Sequence, residues 1–562
     1  MNRTLSRPHD RTGQDGGLTR VSFSPPADRR SALDRAHRGD VVGALGRVSS
    51  LDTEPRRSWR RRLATLAAVM GPGVVVLVAD NDAGGVATYA QIGQNDGLRF
   101  LWLLVVLAAA LWVNQEMVGR LGAVTGAGHA RLIYERFGRR WGAFALGDLL
   151  VVNFLIVVTE FIGVAFGLGY FGVSKYISVP LAALVLIGLP ATGSFRRWER
   201  AVCVFVALSL VAVPLVVLAQ LGHPASAVAA AVGHTAGGSG RPSEVTVLVV
   251  IALVGTTVAP WQLFFHQSNV IDKRITARWL AYERADTTIG TVLFALGAVA
   301  VLVACALAFD GTALHGAFVN AGTVADDLRR QAGPWAGALF AVVLLNGSVL
   351  GAGAVTLSAS YAIGDVTGTK HSLHRSWRDA PRFYGSYTVL VILAAAIVLI
   401  PGAPLGVVTT GVQALAGVLL PSALVFLVLL CNDREVLGPW TNPRWLNVIA
   451  GAVVAAFLVL SGLLVIATLF PDLALGWSVI AISEAAAAAL GALAGLRLGD
   501  GGTGPSPRSP TSDSWWTMPP IESLRPPAAS RSRTLSLILL RGYLVLAVIA
   551  VVVKVVRLMM GA

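Results

Sequence analysis

Long apolar runs, cut by short polar stretches, repeat along most of the chain. They fall at 63–93, 99–119, 142–170, 177–194, 199–221, 244–270, 286–309, 334–363, 383–401, 406–431, 445–470 and 474–496. Runs of this length with few charges predict helices that cross a bilayer. A further apolar run at 534–558 carries Arg541 near its start and Lys554 and Arg557 near its end, and reads as an extra span or a surface helix. The first run departs from the pattern. Within Leu77–Thr88 it places Asp80 and Asp82 at bilayer depth, followed by Gly84 and Gly85. Charge there is expensive and marks function by default. Adjacent glycines are poor helix formers, so the helix is expected to break at Gly84–Gly85. Unwound backbone inside a membrane is tolerated only where it is buried in protein or lines a wet cavity. The alternative is a packing glycine pair beside a snorkelling Asp, but Asp82 lies far from both ends of the run.

Composition agrees with the pattern: 55% of residues are hydrophobic and 14% are charged, where a soluble chain has about 25% charged residues. The net charge of +14 is distributed by loop. Arg120, Arg131, Arg136, Arg139 and Arg140 follow the second run, and Arg196, Arg197 and Arg200 the fourth. Lys273, Arg274, Arg278 and Arg284 follow the sixth, and Lys370, Arg375, Arg378 and Arg382 the eighth. The stretches near 222–243 and 310–333 are poorer in both residues. By the positive-inside rule the basic loops and the N-terminus are expected in the cytoplasm, in a plasma-membrane protein. The charge is thus an orientation signal, and no nucleic-acid partner is implied.

Residues 1–62 are Arg-rich with no apolar core, which predicts a disordered cytoplasmic tail and not a signal peptide. The basic cluster Arg56–Arg62 is expected to sit on the anionic inner leaflet. Residues 63–497 form the membrane domain, 498–533 a Pro/Ser-rich cytoplasmic linker, 534–558 the extra helix and 559–562 a short tail. Cys203, Cys305 and Cys431 form neither a metal-ligand spacing nor a disulfide framework. No hydrolase, kinase or redox motif appears, so the chain is not expected to be an enzyme or to hold a cofactor.

The sixth run contains a second break signal. Gly255, Thr256 and Thr257 precede Val258-Ala259-Pro260, and Pro260 removes a helix hydrogen bond. A packing kink explains that Pro taken singly. Interrupted spans at matching positions of two five-span halves point instead to a binding site between inverted repeats. The expected fold is therefore all-α and LeuT-type. It has two inverted five-helix repeats, broken helices 1 and 6, and additional C-terminal helices.

At this level of detail the chain resembles the NRAMP family of divalent-metal transporters. The family's Asp-Pro-Gly-Asn motif reads Asp82-Ala83-Gly84-Gly85 here, and its Met-Pro-His-Asn motif reads Ala259-Pro260-Trp261-Gln262. Gln115, Arg120-Leu121-Gly122, Glu160-Phe161-Ile162-Gly163, His266, Gln413 eight residues before Pro421, and Asn432-Asp433-Arg434 also fall in order. The likeness covers about residues 64–470. It implies a site made of Asp82, the Asn position (Gly85), the Met position (Ala259), the carbonyl of Thr256, and Gln413. Asp80 adds a carboxylate where the family usually has none, and reaches the site only if unwinding starts early. The resemblance also implies a proton route, of which Glu160 and His266 remain while two ionisable positions are Val157 and Trp261.

The departures shape the expected function. Loss of the thioether removes a soft ligand that selects transition metals. Gly85 and Ala259 widen the site, which suits an ion that keeps its waters, as Mg²⁺ does. These changes resemble the NRAMP-related magnesium transporters. They imply import of Mg²⁺ or Mn²⁺ by a monomer, weakly coupled or uncoupled to protons. The alternatives are a proton-coupled Mn²⁺/Fe²⁺ symporter, an organic-solute carrier on the same fold, or a membrane scaffold or sensor using its long tails. The carrier reading suffers because Asp82 would repel a substrate carboxylate.

Overall fold

The structure, a computed structural model, describes residues 35–52, 54–220, 244–403, 405–469, 477–499 and 516–524, with 534, 537–543 and 545. The tail at 1–34 and most of 534–558 lie outside the described residues.

Ser58 caps α1 (Trp59–Val69) by accepting from Arg61 N. The chain then bends 54° into α2 (Pro72–Val78). Gly71 makes the bend at φ 155°, with Pro72 at the first helical position, where its missing N–H costs nothing. Asp286 accepts from the backbone N–H of Gly71 (3.1 Å), Gly73 (2.7 Å) and Val74 (3.3 Å), so a carboxylate from a distant span caps α2. After four non-helical residues comes α3 (Ala83–Asp96).

The chain continues with α4 (Leu101–Thr125), α5 (His129–Phe137), α6 (Arg139–Tyr170) and α7 (Lys175–Ala191). Next, α8 (Phe195–Leu208) runs through a 3-10 turn into α9 (Ala212–Gln220). The second half has α10 (Glu244–Thr257), α11 (Pro260–Asp272), α12 (Leu280–Phe309), an amphipathic α13 (Ala321–Gln331), α14 (Pro334–Thr367), α15 (Pro381–Leu399) and α16 (Leu405–Cys431). Finally, α17 (Arg444–Leu469) and α18 (Trp477–Gly499) form a pair. Among the described residues nine helices are long and apolar enough to span a membrane, ten if the bent α1–α2 pair counts. The shortfall against the expected runs comes from the two spans split into short halves and from α7, whose apolar helix has only 17 residues.

Glycine sets the closest crossings. A Cβ at Gly255 of α10 would come within 2.2 Å of Gln413 O and 2.5 Å of Gly417 N of α16. One at Gly451 of α17 would come within 2.2 Å of Gly491 O of α18. Such backbone contact is how helices associate where water supplies no hydrophobic drive.

Three expectations need correction. The break in the first span lies at Ala79–Asp82, and Gly84 and Gly85 sit in the first turn of α3. The reason is that Asp82 acts as N-cap and restarts the helix before the glycines are reached. Residues 35–52, expected inside a disordered tail, are folded. Val41–Val42 (β1) pairs antiparallel with Arg47–Val48 (β2). Val41 and Val48 join Ala68, Val69, Val270, Ile275 and Trp279 in an apolar cluster that holds the hairpin against the bundle. Asp40 accepts from Ser50 N (2.8 Å) and from Arg47 Nη2 (2.6 Å). These contacts lower its pKa to about 2, the Ser50 N–H acting most and the Arg47 guanidinium next. A lowered carboxylate stabilises the folded form at neutral pH, and the contribution disappears only as pH falls toward about 2. Lys273, expected as a loop cation, is fully buried against Glu199 (2.5 Å) and donates to Met70 O (2.6 Å). Ala44 N of the hairpin donates to the same Glu199.

Part of the expected linker is also seated. Met518 is fully buried and its N–H donates to Val124 O at 3.4 Å. Of the extra C-terminal run, residues 537–543 are helical and the Tyr543 hydroxyl donates to Val418 O.

Candidate metal site at the two helix breaks

The first break is clamped from several sides. Asn81 donates to Phe294 O of α12 at 3.1 Å. A Cβ at Gly347 of α14 would lie 2.1 Å from Asn81 O. Asp82 Oδ1 accepts from Gly85 N at 2.7 Å, which satisfies one of the orphan donors of α3. Glu160 Oε2 of α6 accepts from Ala83 N at 3.1 Å, next to Asp82. Unwinding begins at Ala79, ahead of Asp80, and it is the Asp80 backbone carbonyl that faces Gly85, while its carboxylate Oδ1 accepts from Gln262.

The second break is shorter: only Val258 and Ala259 interrupt the helix, and Pro260 starts α11. Ala259 is extended (φ −100°, ψ 146°) and offers no side-chain cap. Thr256 lies in the last turn of α10, whose final carbonyls have no intrahelical partner.

The two breaks meet around Gly85. A Cβ placed there would sit 2.9 Å from Asp80 O, 3.1 Å from Thr256 Oγ1 and 3.4 Å from Asp82 Oδ1. Three oxygens from two broken helices therefore surround one small space. Gln413 packs over the neighbouring Gly84, where a Cβ would meet its Nε2 at 1.6 Å. Asp80 Oδ2, Thr256 Oγ1, Gln413 Nε2, Glu160 Oε1 and the Tyr89 hydroxyl are buried without a hydrogen-bond partner among the described residues. Buried polar groups are normally paired, so such a concentration marks a place built for a polar guest. No three His, Cys, Asp or Glu side chains converge on a metal position among the described residues. The donors at the breaks are oxygens of mixed kind, which suits hard cations.

Of the expected route residues, Glu160 is beside Asp82, whereas His266 lies deeper, between Gln115 (2.8 Å) and Glu283 (2.9 Å). Val157 and Trp261 are buried. Trp261 sits against Phe265 and its carbonyl accepts from Ser358. Sequence reasoning missed Gln262, which donates to Asp80 Oδ1, and Glu283. Glu283 lies three residues ahead of the seventh apolar run, between the loop cations Arg278 and Arg284. Its i,i+3 spacing to Asp286 was the available signal.

An all-α bundle with two broken helices meeting at buried carboxylates is a LeuT-type membrane transporter. A family model described as natural resistance-associated macrophage protein-like matches residues 73–467, and the chain belongs to this Nramp family. It is thus a multi-pass transporter and not an enzyme. The divalent metal cation transporter MntH 1 of Pseudomonas aeruginosa is 30% identical over 403 residues, covering 69% of this chain and 89% of that protein. MntH of Verminephrobacter eiseniae is 28% identical over 437 residues, covering 74% and 92%. A crystal structure of the Eremococcus coleocola manganese transporter superposes with a TM-score of 0.60 at 19% identity, over 83% of this chain and 98% of that one.

Proposed function

We propose that this chain imports divalent metal cations, Mg²⁺ or Mn²⁺, across the plasma membrane by alternating access. It works as a monomer with its N-terminus in the cytoplasm and without stoichiometric proton transport. The observation that carries the reading is the set of oxygens that closes on Gly85. Asp82, Asp80 and Thr256 border it, while the positions that resemble the family's Asn and Met are Gly85 and Ala259. Such a site lacks a soft ligand, which favours a hard ion such as Mg²⁺ relative to a conventional relative. Membrane potential is a sufficient drive. Moving two charges across 100 mV is worth about 4.6 kcal/mol, roughly a thousandfold concentration ratio.

The test is uptake by purified protein in liposomes with a negative-inside potential and a lumenal pH dye. Mg²⁺ or Mn²⁺ influx without lumenal acidification is the expected result. Influx of neither ion overturns the function, and protons entering with the metal overturn the uncoupled mechanism. A proton-coupled second reading draws on Glu160, whose carboxyl group lies against Asp82.

A further inference from the structure

The C-terminal helix crosses a proline kink in the helix that carries Gln413. Pro421 lies inside α16, eight residues after Gln413. It has no N–H to give the carbonyl four residues back, that of Gly417. Inside a membrane such a carbonyl needs a donor from a neighbouring segment. Ser461 Oγ of α17 supplies one to Gly417 O at 3.1 Å. The Tyr543 hydroxyl, from the helical residues 537–543, donates to the next carbonyl, Val418 O. One residue past the proline, Ser422 Oγ donates to Asp148 Oδ2 at 2.8 Å, which ties the next turn of α16 to α6.

The same C-terminal helix also reaches the far side of the kink. Leu540 and Tyr543 are buried and Leu537 packs on the core, while Ile538 and Leu539 on the other side are more than half exposed. The Arg541 guanidinium lies 5.4 Å from the Trp141 ring centre. Trp141 in turn packs edge-on against Phe426 of α16, past the proline, with ring centres 5.6 Å apart. Tyr543 thus grips α16 before the kink, and Arg541 reaches it after the kink through Trp141. The helix that makes both contacts lies beyond residue 467, where the family match ends.

We propose that the C-terminal helix splints the Pro421 kink and so sets Gln413 against α3, which makes Tyr543 a positioning residue for cation binding. The inference rests on the proposed metal site, through Gln413. Eight helical residues span about 12 Å, so a change of about 10° at the kink shifts Gln413 by about 2 Å, more than a hydrogen bond or a ligand contact tolerates. The Gln413 side chain now packs on Gly84, in the first turn of α3 and next to Gly85. A buried hydroxyl takes whatever acceptor it meets. What gives the Tyr543 contact a function is its place, beside the carbonyl that the proline leaves open and with a second anchor beyond the kink.

Tyr543→Phe in the full chain tests this, because it removes the hydroxyl and keeps the ring. KM for Mn²⁺ in liposomes should rise about fivefold, the worth of one buried hydrogen bond, with kcat within about twofold of wild type. Lost folding would instead lower the amount of active protein and leave KM alone. Ser461→Ala, which frees Gly417 O from the side of α17, should raise KM in the same way. In a Gln413→Ala background Tyr543→Phe should add nothing, since both changes act through one side chain. Ile538→Ala, on the exposed side of the same helix, should keep the wild-type KM. Independently of transport, amide hydrogen exchange at 413–425 in detergent should be faster in Tyr543→Phe than in wild type. Unaltered exchange there overturns the splint. A KM that Tyr543→Phe leaves unchanged, or raises as much without Gln413 as with it, overturns the positioning of Gln413. A wild-type protein that takes up neither ion defeats the proposed function instead, and the exchange measurement still decides the splint.

Discussion

The two helix breaks occupy matching places in the fold but are built from opposite materials. The first takes four residues, three of them polar, and is held by α12, by α14 and by Glu160 of α6. The second takes two apolar residues and a proline, with no side-chain cap. Charge and hydrogen bonding are thus concentrated in one break, while the other supplies backbone and the Thr256 hydroxyl. The resemblance implies a sulfur ligand at the second break. With Ala259 in its place, the proposed site relies on oxygen donors that are mostly on the first.

The sharpest way to break this comparison is Asp82→Ala. It removes the N-cap carboxylate and should reduce dication uptake to background while the protein still purifies as a folded species; normal uptake would show that charge at the first break is dispensable. Gly85→Ala should come next. Its methyl group would lie 2.9 Å from Asp80 O, so backbone must shift, and KM for Mn²⁺ or Mg²⁺ should rise about tenfold by radiotracer or dye uptake. An unaltered KM would remove the space at Gly85 from the site. The double change Gly85→Asn with Ala259→Met gives the second break a ligand of its own. Competition assays should show preference moving several-fold toward Mn²⁺ over Mg²⁺, even at a lower rate. Ala259→Ser should have the smallest effect, with uptake within about twofold of wild type, because its carbonyl and conformation survive. A large loss there would mean the second break contributes more than backbone and room.

Much of this was readable from the chain. Periodic apolar runs located the spans, and Pro260, which starts α11, placed the second break next to its true position at Val258–Ala259. The first break was misplaced by a few positions because glycine propensity was weighed above capping. Asp82 ends the unwound segment by bonding Gly85 N, a contact that local propensity alone does not reveal. Asp80, Asp82, Thr256 and Gln413 were singled out and do lie together. Gln262 and Glu283 were not, since their importance depends on contacts across 182 and 17 positions of sequence. The folded hairpin at 35–52 was hidden for the same reason. Its composition is polar and basic, and its order comes from partners far along the chain, Glu199, Lys273 and Arg274.

That dependence on distant partners has a consequence in time. Ala44 binds Glu199, 155 positions later, and Ala36 accepts from Arg274, 238 positions later. The hairpin leaves the ribosome before these partners and cannot seat until the sixth span has been made. At about 5–20 residues per second, the interval is roughly ten to fifty seconds. During it, the Val41 and Val48 side chains remain uncovered. Chains stalled before residue 199 should therefore be cut by protease within 35–52, and chains stalled well beyond residue 280 should be protected there. The last piece of this end of the bundle to be closed during synthesis is translated well before the helices that close it.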